Sequence, residues 1–250
     1  MESLSLAQAQ KLVLLSQKLP PKKLPPKMQR NGGALANTLS AIENLGYVQI
    51  DTISVIQRAH HHTLWNRNQG YQLNHLDKLL ERREVFEYWS HAAAYLPMRD
   101  FRFSLHRKNG FASGKLKHWY KKDDALMAHV LKRIENEGPL MAKDFEGDRP
   151  NPGGWGGKPA KRQFGYFSLP ILWQGKLVAR MDCKVDRKTR LLNIRNLVVE
   201  ERIKNHESLV HALCDELKHF MVFNQCDEMI VHNTTPSDLG KRLMSQWQTV

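Results

Sequence analysis

The hydrophobic and polar positions near the start of the chain predict a first helix. Ser5 and Gln8 form a capping-box pattern ahead of apolar residues at Leu12, Leu15 and Leu19. The Pro- and Lys-rich run LPPKKLPPK follows and predicts a loop, because paired prolines cannot continue a helix.

The next hundred residues read as helices, a short strand and a hairpin. A second helix is predicted from residue 34 to residue 45, with Gly46 as the glycine that ends it. A short strand then holds Gln49 and Asp51. Asn74 is the predicted cap of a helix that carries leucines at 76, 79 and 80, and residues 85–88 and 94–97 predict a hairpin. This order is consistent with a winged helix.

The pattern changes in the middle of the chain. Residues 123–137 predict an amphipathic helix, and the run GPLMAKDF that follows predicts a turn and the start of another helix. The run DRPNPGGWGG, residues 148–157, is too rich in Gly and Pro for a regular element.

From residue 164 the apolar positions alternate as in strands. Three antiparallel strands are predicted at 164–173, 176–185 and 191–199, with turns at 174–175 and 186–189. Asn205 is the predicted cap of a helix that runs to about residue 223, with Leu209, Val210, Leu213, Leu217 and Phe220 as its buried stripe. Residues 229–231 predict a last short strand.

The charge of the chain points to a polyanionic partner. The net charge is +13, the pI is about 9.7, and bases cluster in residues 99–122 and again in 176–195. Two basic clusters, one of them interleaved with Trp119 and Tyr120, are typical of a surface that follows phosphates. The alternative for such a charge run is a solvated helix face.

Composition indicates a cytoplasmic protein that does not enter a membrane. No apolar run approaches the roughly 20 residues that span a bilayer, and no secretory leader is recognisable. Cys183, Cys214 and Cys226 lack CxxC spacing and are expected to be buried, reduced thiols. The consecutive histidines 60–62 cannot share one face, so neither a metal nor another cofactor is expected.

The most informative run is YVQIDTISVIQRAHHHTLW, from Tyr47 to Trp65. Gln49 and Asp51 are two residues apart in a predicted strand, so their side chains should share a face while Val48 and Ile50 turn to the core. A carboxylate beside an amide can hold and activate a water molecule. The alternative for Asp51 is a cap or turn at a strand end.

This run resembles the winged-helix DNA glycosylases of the YcaQ/AlkZ type, which repair interstrand crosslinks and alkylated purines in bacteria. Two more blocks carry the resemblance, EVFEYWSHAAAYLPMRD from Glu84 to Asp100 and RQFGYFSLPILWQGKLVARMDCKVDR from Arg162 to Arg187. All three blocks occur in the order of the family. The resemblance implies a DNA repair enzyme whose substrate is double-stranded DNA with alkylated or crosslinked bases, with no obligate protein partner, in the bacterial cytoplasm at the nucleoid.

The resemblance also implies the catalytic residues. The family's motif of glutamine, aliphatic residue and aspartate or glutamine falls on Gln49, Ile50 and Asp51. Asp51 would activate water and stabilise the sugar cation, and Gln49 would hold the water or the deoxyribose. No Schiff-base lysine is needed, which implies a monofunctional glycosylase that leaves an abasic site.

Basic and polar side chains around these blocks are the expected DNA contacts. They are Arg58, His60, Arg67, His91, Arg99, Arg102, Lys115, Lys117 and Arg162. For His91 a satisfied core histidine is the alternative. Arg180, Asp182 and Lys184 match an RxDxK pattern of the family, and either an ion pair beneath the DNA surface or a purely structural role is open. Trp65, Tyr88, Trp89 and Tyr95 are expected in the core.

The expected architecture is α+β: an N-terminal winged helix-turn-helix, a partial second winged helix, and a C-terminal antiparallel β-rich domain with a packed helix. The corresponding domains are 1–112 with the Gln-Ile-Asp motif, 113–157 with the truncated second unit and linker, and 158–250. Family members are longer and have three winged-helix units, so an internal gap is expected near residues 153–162. That gap puts crosslink unhooking in doubt and leaves a non-catalytic DNA-binding remnant as the alternative function. It should also expose apolar helix faces.

Overall fold

The computed structural model describes residues 3–19, 33–117, 123–138, 140, 142–145, 168–203 and 206–248. The chain divides into two compact units, one made of Met1–Phe101 and Arg162–Val250, the other of Arg102–Lys161. In the described parts the chain forms eight α-helices, a three-stranded sheet and a four-stranded sheet, which confirms the α+β class. Several predicted features lie outside the described residues: the Pro/Lys loop, Trp119, Tyr120, the run 148–157, Arg162 and the Asn205 cap.

The first helix, α1 (Leu6–Ser16), has the predicted capping box. The Ser5 hydroxyl accepts from the Gln8 backbone N–H, and the Gln8 side chain accepts from the Ser5 N–H. The helix buries none of its residues, and Leu12 and Leu15 are exposed. The capping signal therefore predicts the helix correctly, while its apolar side is not part of a core.

Three helices and a small sheet follow in the order α2 (Gly33–Leu45), β1 (Val48–Gln49), α3 (Ala59–Trp65), α4 (His75–Glu81), β2 (Val85–Trp89) and β3 (Ala93–Pro97). The sheet order is β1-β3-β2, and both pairings are antiparallel. The second helix, its end at Gly46 and the hairpin are confirmed. Gly46 has a φ of 79°, a left-handed conformation in which a Cβ would be strained. Helix α3 is not among the predicted elements.

One core holds this part together. Its fully buried members are Ile42 of α2, Leu64 of α3, Leu76 and Leu79 of α4, and Val85 of β2. Asn74 does precede α4, but its side chain makes no capping hydrogen bond, so that part of the prediction is wrong.

The second unit contains most of α5 (Phe101–Ala112), α6 (Asp124–Glu137) and a 3-10 turn (Ala142–Phe145). Asp123 caps α6 by accepting the Leu126 backbone N–H at 2.9 Å. The apolar side chains of α6 are mostly exposed, including Leu126, Leu131 and Ile134. The amphipathic helix is confirmed, and so is the expectation of exposed apolar side chains in this region.

The second sheet belongs to the C-terminal segment and has the order β4 (Ser168–Trp173), β5 (Lys176–Asp186), β6 (Leu191–Val199), β7 (Glu228–Thr235). The first three strands are antiparallel as predicted, and the turn at Gln174 and Gly175 has positive φ at both residues. Strand β7 is longer than predicted and parallel to β6, with α7 (His206–Asn224) in the crossover. Helix α8 (Leu239–Gln248) is a finding that the pattern did not predict.

The C-terminal core lies between the sheet and α7. All five residues of the predicted apolar stripe of α7 are buried, as are the three cysteines. Ile56, from the loop before α3, is buried in this same core. Trp65 of α3 stacks on Phe223 of α7, with ring centroids 5.1 Å apart and an interplanar angle of 17°. The loop that follows Asp51 is therefore packed against the C-terminal segment.

Candidate active site

Gln49 and Asp51 lie where β1 ends. Gln49 is exposed and opposite Ala94 of β3, while Val48 is buried. The Ile50 N–H donates to the Ala93 carbonyl at 2.8 Å, and the chain then leaves the sheet. Asp51 thus follows the strand instead of belonging to it, so the shared face that strand alternation predicts does not extend to it.

The Asp51 side chain closes a turn. Its Oδ1 accepts the Ile53 backbone N–H at 2.9 Å, which is an Asx turn. The structural alternative for Asp51 is thereby realised at one carboxylate oxygen. In the described part of the chain, no hydrogen bond to Oδ2 is present. One oxygen of the carboxylate therefore holds the backbone of the loop.

His60 of α3 holds the backbone of the same residue. Its Nδ1 accepts the Asp51 N–H at 3.1 Å, so the ring is neutral with its proton on Nε2. His60 is 2% exposed. The pKa of His60 is lowered to about 4, mostly by burial and also by the Arg58 cation, while the Asp51 carboxylate partly opposes both. The site therefore places a carboxylate beside a neutral imidazole.

The neighbouring histidines point elsewhere. His61 Nδ1 lies 2.6 Å from the Tyr71 hydroxyl, and the His62 ring stacks on Phe220 of α7. Burial lowers the pKa of each to about 4. These divergent contacts agree with the prediction that the three histidines cannot share one face.

Arg187, at the end of β5, fastens the loop after Asp51. One guanidinium nitrogen donates to the Ser54 hydroxyl at 2.7 Å and to the Ile56 carbonyl at 2.9 Å. The loop is thus fixed at its start by His60 and at its end by a residue more than a hundred positions away in sequence.

The sequence pattern of the family described as DNA glycosylase AlkZ-like matches residues 42–166, half of the chain. The chain belongs to the AlkZ-like DNA glycosylase family. The match includes β1, the loop after Asp51, α3 and the β2–β3 hairpin, and it ends before the described part of the C-terminal sheet. The family places the protein among DNA repair glycosylases, whose substrate is DNA. No solved structure matches this chain.

Two predicted DNA contacts lie on the surface near this site of the AlkZ-like protein. Arg58 is the exposed residue before α3, and its charge acts on both His60 and His61. His91 is exposed in the β2–β3 turn and meets the Tyr47 ring edge-on at 5.0 Å. The core alternative for His91 is wrong.

Two other predicted contacts have internal partners. Arg67 is half-buried and donates to the Thr63 carbonyl at 2.9 Å and to Gln17 at 3.1 Å, and burial lowers its pKa. Arg99 pairs with Glu43 of α2 at 3.4 Å and donates to the Glu43 carbonyl. Both guanidinium groups therefore already have hydrogen-bond or ion-pair partners within the protein. His60 is buried, so its role in the fold is to hold Asp51.

The remaining predicted contacts belong to the second unit or to the part not described. Arg102 lies over the Phe103 ring at 4.8 Å, and Lys115 and Lys117 are exposed after α5. These three share one unit, and Gln49 and Asp51 belong to the other. Arg162 lies outside the described residues.

Sequence reasoning missed two residues at the site. Arg187 stood in the family block but had no assigned role, and only the packing of the two segments reveals it. Tyr95 was expected in the core, yet it is half-buried and meets the His60 ring edge-on, with the two ring centroids 5.8 Å apart. Burial raises the pKa of Tyr95. Trp89, also expected in the core, is 66% exposed.

In the RxDxK pattern of β5, Arg180 has its ion-pair partner outside the pattern. Arg180 pairs with Glu200, just after β6, at 3.3 Å. Across the described ranges no group of three or more His, Cys, Asp or Glu side chains is arranged to bind a metal ion. In the same ranges, every helix is too short or too polar to cross a lipid bilayer.

Proposed function

We propose that this chain is a monofunctional DNA glycosylase that hydrolyses the N-glycosidic bond of N7-alkylated purines and leaves an abasic site. The observation that supports this most directly is Asp51 at the end of β1, with one carboxylate oxygen fixed by the Ile53 N–H and the backbone fixed by His60. A carboxylate held in this way is oriented before substrate arrives.

The chemistry asks little of the protein at the leaving group. An N7-alkylated purine carries a positive charge, so it departs as a neutral base with the electrons of the glycosidic bond. The sugar becomes an oxocarbenium-like cation, which the Asp51 carboxylate stabilises. Asp51 accepts a proton from the attacking water, and the exposed Gln49 orients that water or the deoxyribose.

The neutral state of His60 suits this role. A protonated imidazole beside Asp51 would compete for the negative charge that the sugar cation needs. Burial keeps the pKa of His60 at about 4, so at physiological pH the ring contributes a hydrogen-bond acceptor and no charge.

We also propose that α2, α3, α4 and the three-stranded sheet form a winged helix that binds duplex DNA. The chain order of helix, strand, two helices and hairpin supports this, as does the β1-β3-β2 sheet. The β2–β3 hairpin would be the wing, with exposed Trp89 and His91 at its tip. Within the second unit, residues 113–157 would be a partial second winged helix, between domains 1–112 and 158–250.

Unhooking of an interstrand crosslink would break the same bond at a crosslinked N7 position, and we propose it as a secondary activity. One observation favours a different function: Asp51 Oδ1 already serves an Asx turn. If the turn is the whole role of Asp51, the protein binds DNA without excising bases. In either case, we propose that the protein is located at the nucleoid of a bacterial cell.

Two substitutions of Asp51 separate its chemistry from its turn. Asn keeps an oxygen that accepts the Ile53 N–H but lacks the charge, whereas Ala lacks both. Release of 7-methylguanine from duplex DNA should fall by about 10²–10⁴-fold in Asp51→Asn, with duplex binding retained.

The matched control is Asp215→Asn, the same change at an exposed residue of α7, which should keep full activity. Excision by Asp51→Asn near the wild-type rate would reject the catalytic role. Absence of excision in the wild type, with DNA binding present, would establish the binding function instead.

A further inference from the structure

The open side of the C-terminal sheet has a basic concavity that the catalytic proposal does not use. Its volume is about 740 Å³, and it is formed by the ends of β5, β6 and β7. Its lining includes four cationic side chains, a histidine and two asparagines, among them Lys184, Arg187, Lys188, Arg195, His232 and Asn233. Asp186 is the carboxylate that lines it among the described residues, and its Oδ1 accepts the Lys188 and Thr189 N–H groups.

Strands β5 and β6 carry Lys184 and Arg195, and the turn between them carries Arg187 and Lys188. Asp182 pairs with Asn196 and Cys183 with Ile194, so Arg195 is the extra residue of a β-bulge in β6. A bulge re-aims its side chain, and Arg195 is exposed. Its carbonyl accepts from the Asn233 side chain at 3.1 Å, and His232 Nε2 lies 3.3 Å from Asn193 Oδ1. Hydrogen bonds between strands therefore hold the floor in place.

This concavity is connected to the candidate active site. Arg187 lines it and also donates to Ser54 and Ile56, in the loop that begins at Asp51. Cations so close to that loop would lie beside the backbone of any DNA whose damaged nucleotide reaches Asp51.

We infer that the concavity of Lys184, Lys188, Arg195 and His232 is a binding site for the phosphodiester backbone of duplex DNA. Lysine and arginine neutralise phosphates, and the second N–H of the Asn233 amide is available to donate to a phosphate oxygen. This inference rests on the proposed function for the identity of the polyanion, but it concerns binding and not base release.

The test is the salt dependence of binding to undamaged duplex DNA, measured by fluorescence anisotropy. Lys188→Glu/Arg195→Glu removes two cations of the concavity and spares Arg187. The slope of log affinity against log salt should fall by about 2, at roughly 0.9 per phosphate contact, with affinity at least about 10-fold weaker near 0.1 M salt. The matched control, Lys11→Glu/Lys241→Glu, makes the same change of net charge at exposed residues outside the concavity.

Equal losses in the two double variants would overturn the site, because they would reflect net charge alone. Titration with inorganic phosphate and with a 5′-mononucleotide distinguishes the sources of phosphate. Saturable binding of these small anions with an unchanged duplex slope would overturn the backbone role. Undamaged DNA makes the outcome independent of catalysis, so an inactive enzyme that shows the expected slope change would reject only the glycosylase proposal.

Discussion

Three consecutive histidines of α3 enter three different environments. His60 holds the Asp51 backbone, His61 meets Tyr71, and His62 packs among the aromatic rings of α7. A helix turns by about 100° per residue, so neighbours in sequence diverge. His60 and His62 are buried and His61 is half-buried, and the pKa of each is lowered to about 4, mostly by burial.

These shifts predict acid sensitivity. Between pH 6.5 and about 4 the unfolded chain binds protons on these histidines and the folded chain does not, so stability rises with pH across this window. The contribution of these histidines to the free energy of unfolding should be at its maximum above pH 6.5. As the pH falls from 6.5 to about 4, the free energy of unfolding should decrease by up to about 1.4 kcal/mol per pH unit for each histidine. Urea unfolding at several pH values from 7.5 to 4.5 measures this slope.

His61→Gln identifies the source, because glutamine can still accept a hydrogen bond from Tyr71 but does not titrate. In this variant, the slope of the unfolding free energy against pH should be smaller by about the contribution of one histidine. His219→Gln, at an exposed position of α7, is the control and should retain the wild-type slope. Equal slopes in wild type and His61→Gln would contradict the prediction.

At this scale the sequence predicts identities better than roles. Gln49 and Asp51 were found through a resemblance, and strand alternation alone would have placed Asp51 wrongly, because the strand ends before it. The role of His60 depends on a hydrogen bond across a turn of nine residues. No local pattern encodes that contact, since it arises when α3 folds back onto the end of β1.

Among the elements, the loop between β1 and α3 has no regular structure, yet it is fixed from both sides. Ile56 is buried in the C-terminal core, and Arg187, in the turn just after β5, donates to Ser54 and Ile56. The Val185 N–H lies 3.5 Å from the Val55 carbonyl. The C-terminal sheet thus sets the path of the chain just after Asp51.

Arg187→Ala should therefore slow catalysis, because Arg187 fixes the loop after Asp51 although it takes no part in the chemical step. The single-turnover rate of base release at saturating enzyme should fall about 10-fold or more, because small displacements of a catalytic group are costly. Arg187→Lys should restore part of the rate, since an ammonium can still donate to Ser54 or Ile56. Saturating enzyme separates this effect from any loss of DNA affinity.

Arg202→Ala is the matched control. Arg202 also donates to a backbone carbonyl, that of Leu177, at 2.8 Å, but at the other end of β5. It should leave the single-turnover rate unchanged. A rate of Arg187→Ala equal to that of wild type, in protein that melts normally, would show that the loop does not need this anchor.

Elements with their own local signals were predicted well. The capping box gave α1, and the apolar stripe of α7 and the alternation of β5 and β6 gave their bounds within a few residues. Elements that depend on long-range packing were missed or shortened. Most of the side chains of β7 are exposed or half-buried, so this strand has no strong pattern of its own. Helix α8 does have apolar residues at helical spacing, Leu239, Leu243 and Trp247, which pack in or against the C-terminal core, and sequence reasoning missed this pattern.

At the scale of the whole molecule, two segments far apart in sequence form one unit. Besides the contacts of the loop, they meet through aromatic rings: Trp65 stacks on Phe223 at 5.1 Å, and the His62 ring is 5.8 Å from that of Phe220. Trp65 packs against both hydrophobic cores. Because the loop after Asp51 lies at this junction, the integrity of the site depends on the junction.

Trp65→Ala should uncouple the two segments. In the wild type, amides in α2 and α7 should become accessible to hydrogen exchange with the same free energy of opening, because one cooperative event exposes both. Removing the indole should cost about 3 kcal/mol, the low end for a large aromatic residue, and α2 should then open more readily than α7. Hydrogen exchange followed by mass spectrometry resolves the two helices, and Trp89→Ala, at a residue that is 66% exposed, is the control.

If Trp65→Ala lowered the opening free energy of both helices equally, the junction would be one continuous core. Mutations anywhere in the C-terminal sheet would then act on Asp51 through global stability alone, and not through the path of its loop.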